Sequence, residues 1–243
     1  MKSLIKSILK KLPIPLSKNH LYDLQTKKIV KQCLKDDSNC IDIGCYKGEI
    51  LDLFLSHSPY GMHWAFEPIP SLYSQLVRKY KNNRNCSILN YALNDQAGIA
   101  TFNYVVTNPS YSGLLKRDYD RPFEKDEHIQ VKTELLDNLI LENIPIHLIK
   151  IDVEGAELLV LNGARKLITR NLPIVIFEHG LGASNHYGTI SEKVYNYFSD
   201  LSLNVSTMGR FLNKLEPLTL EEFRNHYNNK IDYYFLAYPE NVI

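Results

Sequence analysis

The sequence predicts an α/β fold, with a parallel sheet and helices on both of its faces. Short apolar segments alternate with amphipathic helical segments along nearly all of the 243 residues, which is the pattern of consecutive βαβ units. A loop with two glycines, Gly44 and Gly48, follows the first apolar segment. Acidic residues stand at the ends of later apolar segments, so the strands are expected to end at one ligand-binding edge of the sheet.

Composition and charge exclude some classes of protein. Hydrophobic residues make up 44% of the chain, as expected of a globular protein with a full core, and the net charge of +1 is lower than that of a general nucleic-acid binder. The cysteines (Cys33, Cys40, Cys45 and Cys86) have no metal-ligand spacing. This pattern favours a reducing, cytoplasmic environment and a protein without disulfides, structural zinc or nucleic-acid partners.

The first residues form a separate, basic segment. In residues 1–12, MKSLIKSILKKL, the leucines and isoleucines fall on one helical face, and Lys2, Lys6 and Lys10 lie outside it. Two interpretations remain open: a helix packed on the domain, which is favoured, or an interfacial helix that binds weakly to anionic lipid at the inner membrane face. We therefore divide the chain into an amino-terminal helical extension, residues 1–38, and a ligand-binding domain, residues 39–243.

The order of elements follows from apolar runs bounded by turn residues. Strands are expected at residues 40–44, 62–68, 86–93, 99–106, 129–133, 146–152, 173–179, 203–207 and 232–239. Helices are expected at residues 21–36, 49–54, 70–82, 134–142, 156–169, 189–200 and 218–227. Pro70 stands at the favoured first position of its helix. Residues 107–128 are polar, aromatic and irregular, and a loop of this length is a candidate for a lid over a substrate.

The glycine loop favours a cofactor with cationic groups over a dinucleotide. A dinucleotide fingerprint needs glycines at its first, third and sixth positions, where this chain has Asp42, Gly44 and Lys47. Asp42 would set a carboxylate against a pyrophosphate. It suits the ammonium of S-adenosylmethionine, whose carboxylate can bind the N–H groups between Gly44 and Gly48. Glu67 stands 23 residues after Gly44, the distance expected of an acid that accepts from two ribose hydroxyls.

These residues should meet at the carboxyl edge of the sheet, where open α/β sheets bind ligands. We predict the cofactor-binding set Asp42, Gly44, Tyr46, Gly48, Glu67, Pro68, Ala92, Leu93 and Asp152. The alternative is that the glycines only allow close packing of helix and sheet and that the acids only cap helices. Several such residues at one edge of one sheet favour ligand binding.

Four motifs resemble the FkbM family of S-adenosylmethionine-dependent methyltransferases: AFEPIP, ALNDQAG, KIDVEGAE followed by VLNGA, and PIVIFEH. The resemblance covers roughly residues 40–240, and KIDVEGAE, residues 150–157, is its most specific part. It implies a class I methyltransferase (Rossmann-like) fold of seven strands, with the last strand antiparallel and inserted beside the fifth. It also implies a sugar hydroxyl of a glycan or a small-molecule natural product as acceptor. The chain departs from the family loop D-x-G-A-N-x-G at Cys45 and Tyr46.

The segment NPSY, residues 108–111, resembles the N-P-P-Y signature of methyltransferases that act on exocyclic amines of DNA or on protein amides. That signature must close the fourth parallel strand, but the strand before it follows the third strand after only a short turn. A parallel crossover needs a dozen or more residues, whereas a hairpin does not. We therefore place the fourth parallel strand at residues 146–152 and NPSY in a surface loop, where Tyr111 and Tyr119 can stack against a sugar.

A hydroxyl acceptor must lose its proton during methylation, so a positioned base is expected. Asp152 and Glu154 follow the fourth parallel strand, and Glu178 and His179 follow the fifth. We predict Asp152, Glu154 and His179 as catalytic residues. The two acids are chosen for their position at the strand end, and His179 is chosen because the pKa of a histidine ordinarily lies near neutral pH. The alternatives are a hydrogen-bonded structural role for His179 and a helix-capping role for Glu154.

Three further alternatives remain open. A divalent metal between Asp152 and Glu178 is conceivable, but two carboxylates alone do not indicate one, and no metal is predicted. Lys150 shares the strand phase of Asp152 and is expected to pair with it, while Glu157 is expected to cap the next helix.

Two other functions remain open for the whole chain. One is a Rossmann oxidoreductase or epimerase that uses NAD, and the other is a cofactor-binding partner subunit that has lost catalysis.

Overall fold

The computed structural model describes Pro15 and residues 17–242. Its strands, in chain order, are β1 (Cys40–Ile43), β2 (His63–Phe66), β3 (Cys86–Leu89), β4 (Ala92–Leu93), β5 (Gly98–Val105), β6 (Asp126–Glu134), β7 (Leu148–Ile151), β8 (Ile174–Glu178), β9 (Leu203–Thr207) and β10 (Tyr234–Pro239). Its helices are α1 (Lys18–Cys33), α2 (Glu49–His57), α3 (Pro70–Tyr80), α4 (Leu136–Leu139), α5 (Glu157–Gly163), α6 (Arg165–Asn171), α7 (Ser191–Ser199), α8 (Met208–Leu212) and α9 (Leu220–Asn228). Short 3₁₀ turns are Pro109–Tyr111, Ser184–Tyr187 and Glu240–Val242.

The central sheet has seven strands in the order β3-β2-β1-β7-β8-β10-β9. In this sheet β3, β2, β1, β7 and β8 are parallel to one another, and β10 is antiparallel to both β8 and β9. The predicted fold is therefore confirmed, including the last strand inserted beside the fifth parallel strand. The strand order reverses between β1 and β7, and ligands of open α/β sheets bind beyond the strand ends at such a point.

Helices cover both faces of this sheet, as predicted. Every residue of β1, β2, β7 and β8 is buried. On one face, Ile43, Ile151 and Phe177 belong to a core shared with α5, α6, α7 and α9. On the other face, Cys40 and Leu148 pack with α1, α2 and α8. Burial of each large apolar side chain contributes roughly 1.5–3 kcal/mol, so these two layers hold the strand ends in a fixed arrangement.

The predicted strand at residues 86–93 is two strands in different sheets. β3 stays in the central sheet, whereas β4 pairs in parallel with β6 in a three-stranded sheet of order β4-β6-β5. Asn90 explains the change of direction, because its amide donates to the carbonyl oxygens of Glu67 at 2.7 Å and Pro68 at 3.0 Å. β5 pairs antiparallel with β6. The segment NPSY therefore does not close a strand of the central sheet, which confirms its predicted position in a loop.

Two predicted helices differ from their expected form, one in length and the other in being divided. The helix expected at 134–142 is the single turn α4, and the one expected at 156–169 is divided into α5 and α6. Asp137 explains the division, because its carboxylate accepts from the N–H groups of Lys166 at 3.0 Å and Leu167 at 2.8 Å. This side chain caps α6 from outside the helix and so starts a new helix there.

The helix α1 is part of the same core as the sheet. The Ser17 hydroxyl oxygen accepts from the N–H group of His20 at 3.2 Å and caps the helix. Ile29 and Val30 are fully buried and belong to the same core cluster as Cys40 of β1 and Leu236 of β10. The predicted boundary after residue 38 falls in the connection between α1 and β1.

The start of α1 is tied to the turn before β10. Asp232 accepts from the Tyr22 hydroxyl at 2.7 Å and from His226 Nδ1 at 2.9 Å, and the Lys18 ammonium lies 3.7 Å from it. These contacts hold the first turn of α1 at the carboxyl edge of the sheet. The amphipathic segment at residues 1–12 lies outside the described residues, so its contact with a membrane surface stays a prediction. Across residues 17–242, no helix is long and apolar enough to span a membrane.

Candidate active site

The loop after β1 lies tightly against the end of β7. Gly44 has φ +75°, and a Cβ atom on it would lie 1.9 Å from the carbonyl oxygen of Asp152. Gly48 has φ +76° and precedes α2, and a Cβ atom there would lie 2.4 Å from the Tyr80 hydroxyl. Both positions require glycine, because another residue would meet both a left-handed backbone and a close neighbour. The glycine loop and the end of β7 therefore form one unit.

Most N–H groups of the glycine loop already have acceptors within the protein. The N–H groups of Gly44 and Cys45 donate to the Phe66 carbonyl at 3.0 and 3.1 Å, that of Tyr46 to Glu67 Oε2 at 2.9 Å, and that of Gly48 to the Cys45 carbonyl at 2.7 Å. These groups are not free for a cofactor carboxylate, which corrects that prediction. The cationic residue of the loop is Lys47, which lines the cleft and whose ammonium lies 4.8 Å from the centre of the Tyr46 ring.

Glu67 follows β2 and supports the glycine loop. Its Oε2 accepts from the Tyr46 N–H group and its Oε1 from the Ile69 N–H group, both at 2.9 Å. The side chain is only 4% exposed. Burial raises the pKa of Glu67 to about 7, although the two backbone hydrogen bonds oppose this shift. A carboxylate has four lone pairs, so Glu67 keeps acceptor capacity toward the cleft that it lines.

Asp42 is a buried carboxylate without a hydrogen-bond partner. It is 0% exposed, and within residues 17–242 neither of its carboxylate oxygens has a partner. Burial raises the pKa of Asp42 to about 6, although the charge of its strand neighbour Lys150 opposes this shift. An unpartnered buried carboxylate is costly. A cationic ligand group in the cleft would remove that cost, as predicted for the ammonium of S-adenosylmethionine.

The polar residues at the strand ends share one face of the sheet. Successive residues of a strand point to opposite faces, so Asp42, Lys150 and Glu178 lie on the face of α1, α2 and α8. Tyr234 opposes Glu178 in the register of β10 and β8. Its hydroxyl donates to Asp152 Oδ2. This one face therefore carries the candidate site.

Three carboxylates converge beyond β7 and β8. Asp152, Glu154 and Glu178 each place an oxygen within 4.8 Å of the others. Lys150 Nζ lies 2.8 Å from Asp152 Oδ2, which confirms the predicted pair, and Arg117 forms an ion pair with Glu154. The cluster therefore holds three acids and two cations in a small volume.

The three acids differ in their readiness to ionise. Burial opposes ionisation of Asp152, but the charge and hydrogen bond of Lys150 outweigh it, so the pKa of Asp152 is lowered. Burial and the charge of Asp152 raise the pKa of Glu154 to about 8, against the opposing charge of Arg117. Burial, with the charges of Glu154 and Asp152, raises the pKa of Glu178 well above its ordinary value. The pKa of Glu154 therefore lies near physiological pH.

The same cluster fits a divalent metal poorly. Carboxylate oxygens are the usual ligands of Mg²⁺ and Ca²⁺. Here the ammonium of Lys150 and the guanidinium of Arg117 already neutralise Asp152 and Glu154. We therefore assign no metal to the cluster.

The turn after β7 fixes the backbone of Glu154. Glu154 has φ 58°, and the following Gly155 has φ +106°. A Cβ atom on Gly155 would lie 2.6 Å from the backbone of Ala183. Glu157 closes the turn, since its Oε1 accepts from the N–H groups of Val153 at 3.0 Å and Gly155 at 3.2 Å. Glu157 thus stabilises the turn that presents Glu154.

Residues 106–125, which we call the strap loop, join β5 to β6 and line the cleft. β6 begins at Asp126, so this irregular segment is shorter than the predicted 107–128. The Asp118 N–H group donates to the Gly182 carbonyl at 2.8 Å, and the Leu115 N–H group donates to the Tyr187 hydroxyl at 2.8 Å. These bonds attach the strap loop to the segment after β8.

The aromatic rings of the strap loop are already packed. Tyr111 and Tyr119 stack at 6.2 Å with an interplanar angle of 12°. The Arg117 guanidinium lies 4.8 Å from the centre of the Tyr111 ring, and the Lys116 ammonium lies 5.1 Å from that of Tyr119. These contacts argue against the predicted stacking of a sugar on either ring.

A cleft of about 1090 Å³ joins the glycine loop, the acid cluster and the strap loop. Ligand pockets commonly measure about 300–1,000 Å³, so this cleft has room for a cofactor and an acceptor together. Its lining includes most of the predicted cofactor-binding set: Asp42, Gly44, Tyr46, Glu67, Pro68, Ala92, Leu93 and Asp152. Gly48 is not part of that lining and packs against Tyr80 instead.

His179 lies away from the cleft, so its predicted catalytic role is wrong. It follows Glu178 by one residue and therefore points to the opposite face of the sheet. The side chain is 1% exposed, and its ring stacks on Tyr227 at 4.4 Å and on Phe223 at 5.5 Å. Its Nε2 lies 3.3 Å from the Ser191 hydroxyl. Burial lowers the pKa of His179 to about 4, as expected of a neutral structural histidine.

Sequence reasoning missed Arg117, Tyr234 and the start of α1. Arg117 lies in the strap loop, which has no periodicity from which its direction could be read. Tyr234 can be placed only once the register of β10 against β8 is known. The segment from Ser17 to Asp23 lines the cleft because α1 packs on the same face as Asp42. The sequence of α1 is polar along most of its length, so its first turn carries no distinguishing signal.

Comparisons with known proteins agree with this geometry. The model of the methyltransferase FkbM domain matches residues 42–202. The structure of methyltransferase FkbM from Methylobacillus flagellatus KT is similar with a TM-score of 0.53 and 16% identity, over 84% of this chain and 44% of that chain. The chain thus spans less than half of that protein. No curated protein matches the chain significantly.

Two further solved structures are similar at lower scores. A precorrin-6y C5,15-methyltransferase from Geobacter metallireducens GS-15 has a TM-score of 0.44 and 12% identity, over 80% of this chain and 77% of that chain. A Streptococcus mutans protein in complex with S-adenosylhomocysteine has a TM-score of 0.47 and 12% identity, over 93% of this chain and 97% of that chain.

Proposed function

The chain belongs to the family of methyltransferases with the FkbM domain, and on that premise we propose that it methylates a hydroxyl group of a glycan or a small-molecule natural product, using S-adenosylmethionine. The observation that carries the proposal is the position of Glu154. Its carboxyl group titrates near physiological pH and lies in the same cleft as the unpartnered carboxylate of Asp42. A proton acceptor and a site for a cationic cofactor thus line the same cleft.

The cofactor half of the cleft, which we define by Asp42, Lys47 and Glu67, suits S-adenosylmethionine better than NAD. Asp42 would hold the ammonium, because its carboxylate is buried and has no partner within the described chain. Glu67 would accept from the ribose hydroxyls, and Lys47 would hold the carboxylate in place of the loop N–H groups. A pyrophosphate would instead face the carboxylate of Asp42, which is unfavourable. When bound, this cofactor supplies a methyl group on a positively charged sulfur.

The acceptor half of the cleft, which we define by Asp152, Glu154 and Glu178, contains the proposed base. Asp152 is bound by Lys150 and by the Tyr234 hydroxyl, so its lowered pKa makes it a weak proton acceptor. Glu178 has a raised pKa and can donate a hydrogen bond that orients the acceptor. Glu154 has a pKa of about 8, so a fraction of this carboxyl group is ionised at physiological pH, and that fraction can accept the proton of a hydroxyl group. We therefore assign the base to Glu154.

We expect S-adenosylhomocysteine to stabilise the protein against heat and NAD to leave it unchanged. A ligand present at 100 times its dissociation constant adds about 2.7 kcal/mol of stability, which a thermal-shift measurement detects. The panel also includes NADP and ATP, because a nucleotide-binding site of another class would respond to those. A shift with NAD and none with S-adenosylhomocysteine would replace this proposal by the oxidoreductase or epimerase.

We expect Glu67→Ala to weaken the binding of S-adenosylhomocysteine by about 1–3 kcal/mol, the scale of hydrogen bonds to a charged group. The variant loses the acceptor for ribose hydroxyls and the contacts with the N–H groups of Tyr46 and Ile69. Calorimetry measures the affinity, with Glu127→Ala as the control, because Glu127 is an exposed acid on β6. Equal affinity in the two variants would exclude Glu67 from the cofactor site.

A further inference from the structure

We propose that Arg117 is the positioning residue for Glu154: its guanidinium binds the carboxyl group and directs it into the acceptor half of the cleft. The inference rests on the proposed function, because it assigns Arg117 a role toward the proposed base. The ion pair is largely shielded from water: the Arg117 side chain is 15% exposed and that of Glu154 is 12% exposed. Shielding makes this contact stronger than an exposed pair would be.

The strap loop holds the guanidinium of Arg117 in place. The group lies 4.8 Å from the centre of the Tyr111 ring, within the range of a cation–π contact. The Tyr111 hydroxyl donates to Asp120 at 2.7 Å, and its ring stacks on Tyr119. Arg117 Nε donates to the Asp118 carbonyl at 3.3 Å. Arg117 is therefore supported on the strap loop independently of Glu154.

Glu154 needs such a partner because the groups around it disfavour its charge. Oxygens of Asp152 and Glu178 lie within 4.8 Å, and Glu157 lies in the same turn. The hydroxyl groups of Tyr234 and Tyr187, on β10 and after β8, add no positive charge. In the described part of the chain, Lys150 contacts Asp152, and Arg117 is the cation in contact with Glu154. Without Arg117, a buried carboxyl beside other acids holds its proton more tightly.

The two ends of the Glu154 side chain are thus fixed by different parts of the fold. The KIDVEGAE turn fixes the backbone end, through the close contact of Gly155 with Ala183 and the hydrogen bonds of Glu157. Arg117 fixes the carboxylate end from the strap loop. A correctly directed base therefore requires that the strap loop lie over the cleft.

Infrared titration of the free protein tests this inference without a methyl acceptor. The carboxyl band of Glu154 is identified as the one that Glu154→Gln removes. In Arg117→Gln, the midpoint of that band should rise by about 1–3 pH units, the effect of a neighbouring opposite charge. Arg117→Lys should restore most of the wild-type midpoint. Lys116→Gln, which removes the adjacent strap-loop cation that pairs with Asp126 at 2.8 Å, should leave the midpoint unchanged.

A wild-type midpoint in Arg117→Gln would overturn the inference, and so would an equal shift in Lys116→Gln. If Arg117→Gln does not fold, Arg117→Met takes its place, because methionine is also uncharged and similar in length, and a wild-type midpoint in that variant would overturn the inference as well. Calorimetry with S-adenosylhomocysteine separates the two proposals. Failure of the wild-type protein to bind that ligand contradicts the proposed function, whereas the titration of Glu154 addresses Arg117 alone.

Discussion

Replacing Glu154 with glutamine is expected to lower the rate of methyl transfer by roughly 10²–10⁴-fold, the loss typical of removing a general base. The amide keeps the shape of the side chain and an oxygen that accepts from Arg117, but it cannot take a proton from a hydroxyl group. Affinity for S-adenosylhomocysteine should change much less, because Asp42 and Glu67 belong to the other half of the cleft. The rate is measured with radiolabelled S-adenosylmethionine and an acceptor found by screening glycan extracts.

The matched control is Glu127→Gln, which makes the same chemical change at an exposed position on β6, away from the cleft. It should keep the wild-type rate and affinity. Wild-type turnover in Glu154→Gln would mean that no proton acceptor at this position is needed. Catalysis would then depend on alignment of the acceptor alone, and the assignment of the base would be wrong.

The stability of the folded protein is expected to depend on pH differently in the wild type and in Glu154→Gln. The pKa of Glu154 in the folded protein is about 8, above the value of about 4.3 for an unfolded chain. The folded state therefore binds this proton more tightly. The resulting stabilisation is complete below about pH 4 and is lost as the pH rises through about 8. Glutamine does not titrate, so Glu154→Gln should lose less stability than the wild type over this range.

The parallel sheet with helices on both faces could be predicted because its strands are short apolar runs separated by helices, and parallel sheets are built from such units. The place of the last strand beside the fifth was implied by the resemblance to the FkbM family. Breaks within elements could not be predicted in the same way. The division of residues 86–93 depends on Asn90, whose amide reaches carbonyl groups 22 and 23 residues away. The division of residues 156–169 depends on Asp137, which caps a helix that starts 28 residues later. Both are tertiary contacts that override local propensity.

The candidate site was predictable to the extent that strand ends define it. Asp42 lies within β1, one residue before its end, and Glu67 and Asp152 directly follow their strands, so the parallel sheet brings all three to one cleft. His179 was misplaced because a strand end defines an edge but not a face. The alternation of side chains along β8 does define the face, and it separates His179 from its neighbour Glu178. Arg117 reaches the cleft through the strap loop, whose path depends on bonds to distant segments.

Replacing Gly44 with alanine is expected to destabilise the protein by roughly 2–5 kcal/mol and to abolish the binding of S-adenosylhomocysteine. Two costs add at this position. The backbone has φ +75°, which is unfavourable for alanine, and the new Cβ atom would lie 1.9 Å from the Asp152 carbonyl oxygen. The glycine loop and the end of β7 would have to separate, and both line the cleft. Urea-induced unfolding measures the first effect and calorimetry the second.

Gly188→Ala isolates the cost of the backbone from the cost of the close contact. Gly188 also has a left-handed backbone, φ +64°, but nothing lies within 4 Å of a Cβ atom built on it. Its replacement should therefore destabilise the protein by only about 1 kcal/mol. Affinity for S-adenosylhomocysteine should stay at the wild-type level, because Gly188 does not line the cleft. If Gly44→Ala behaved like Gly188→Ala in both measurements, the contact between the glycine loop and the end of β7 would not be needed to hold the cofactor.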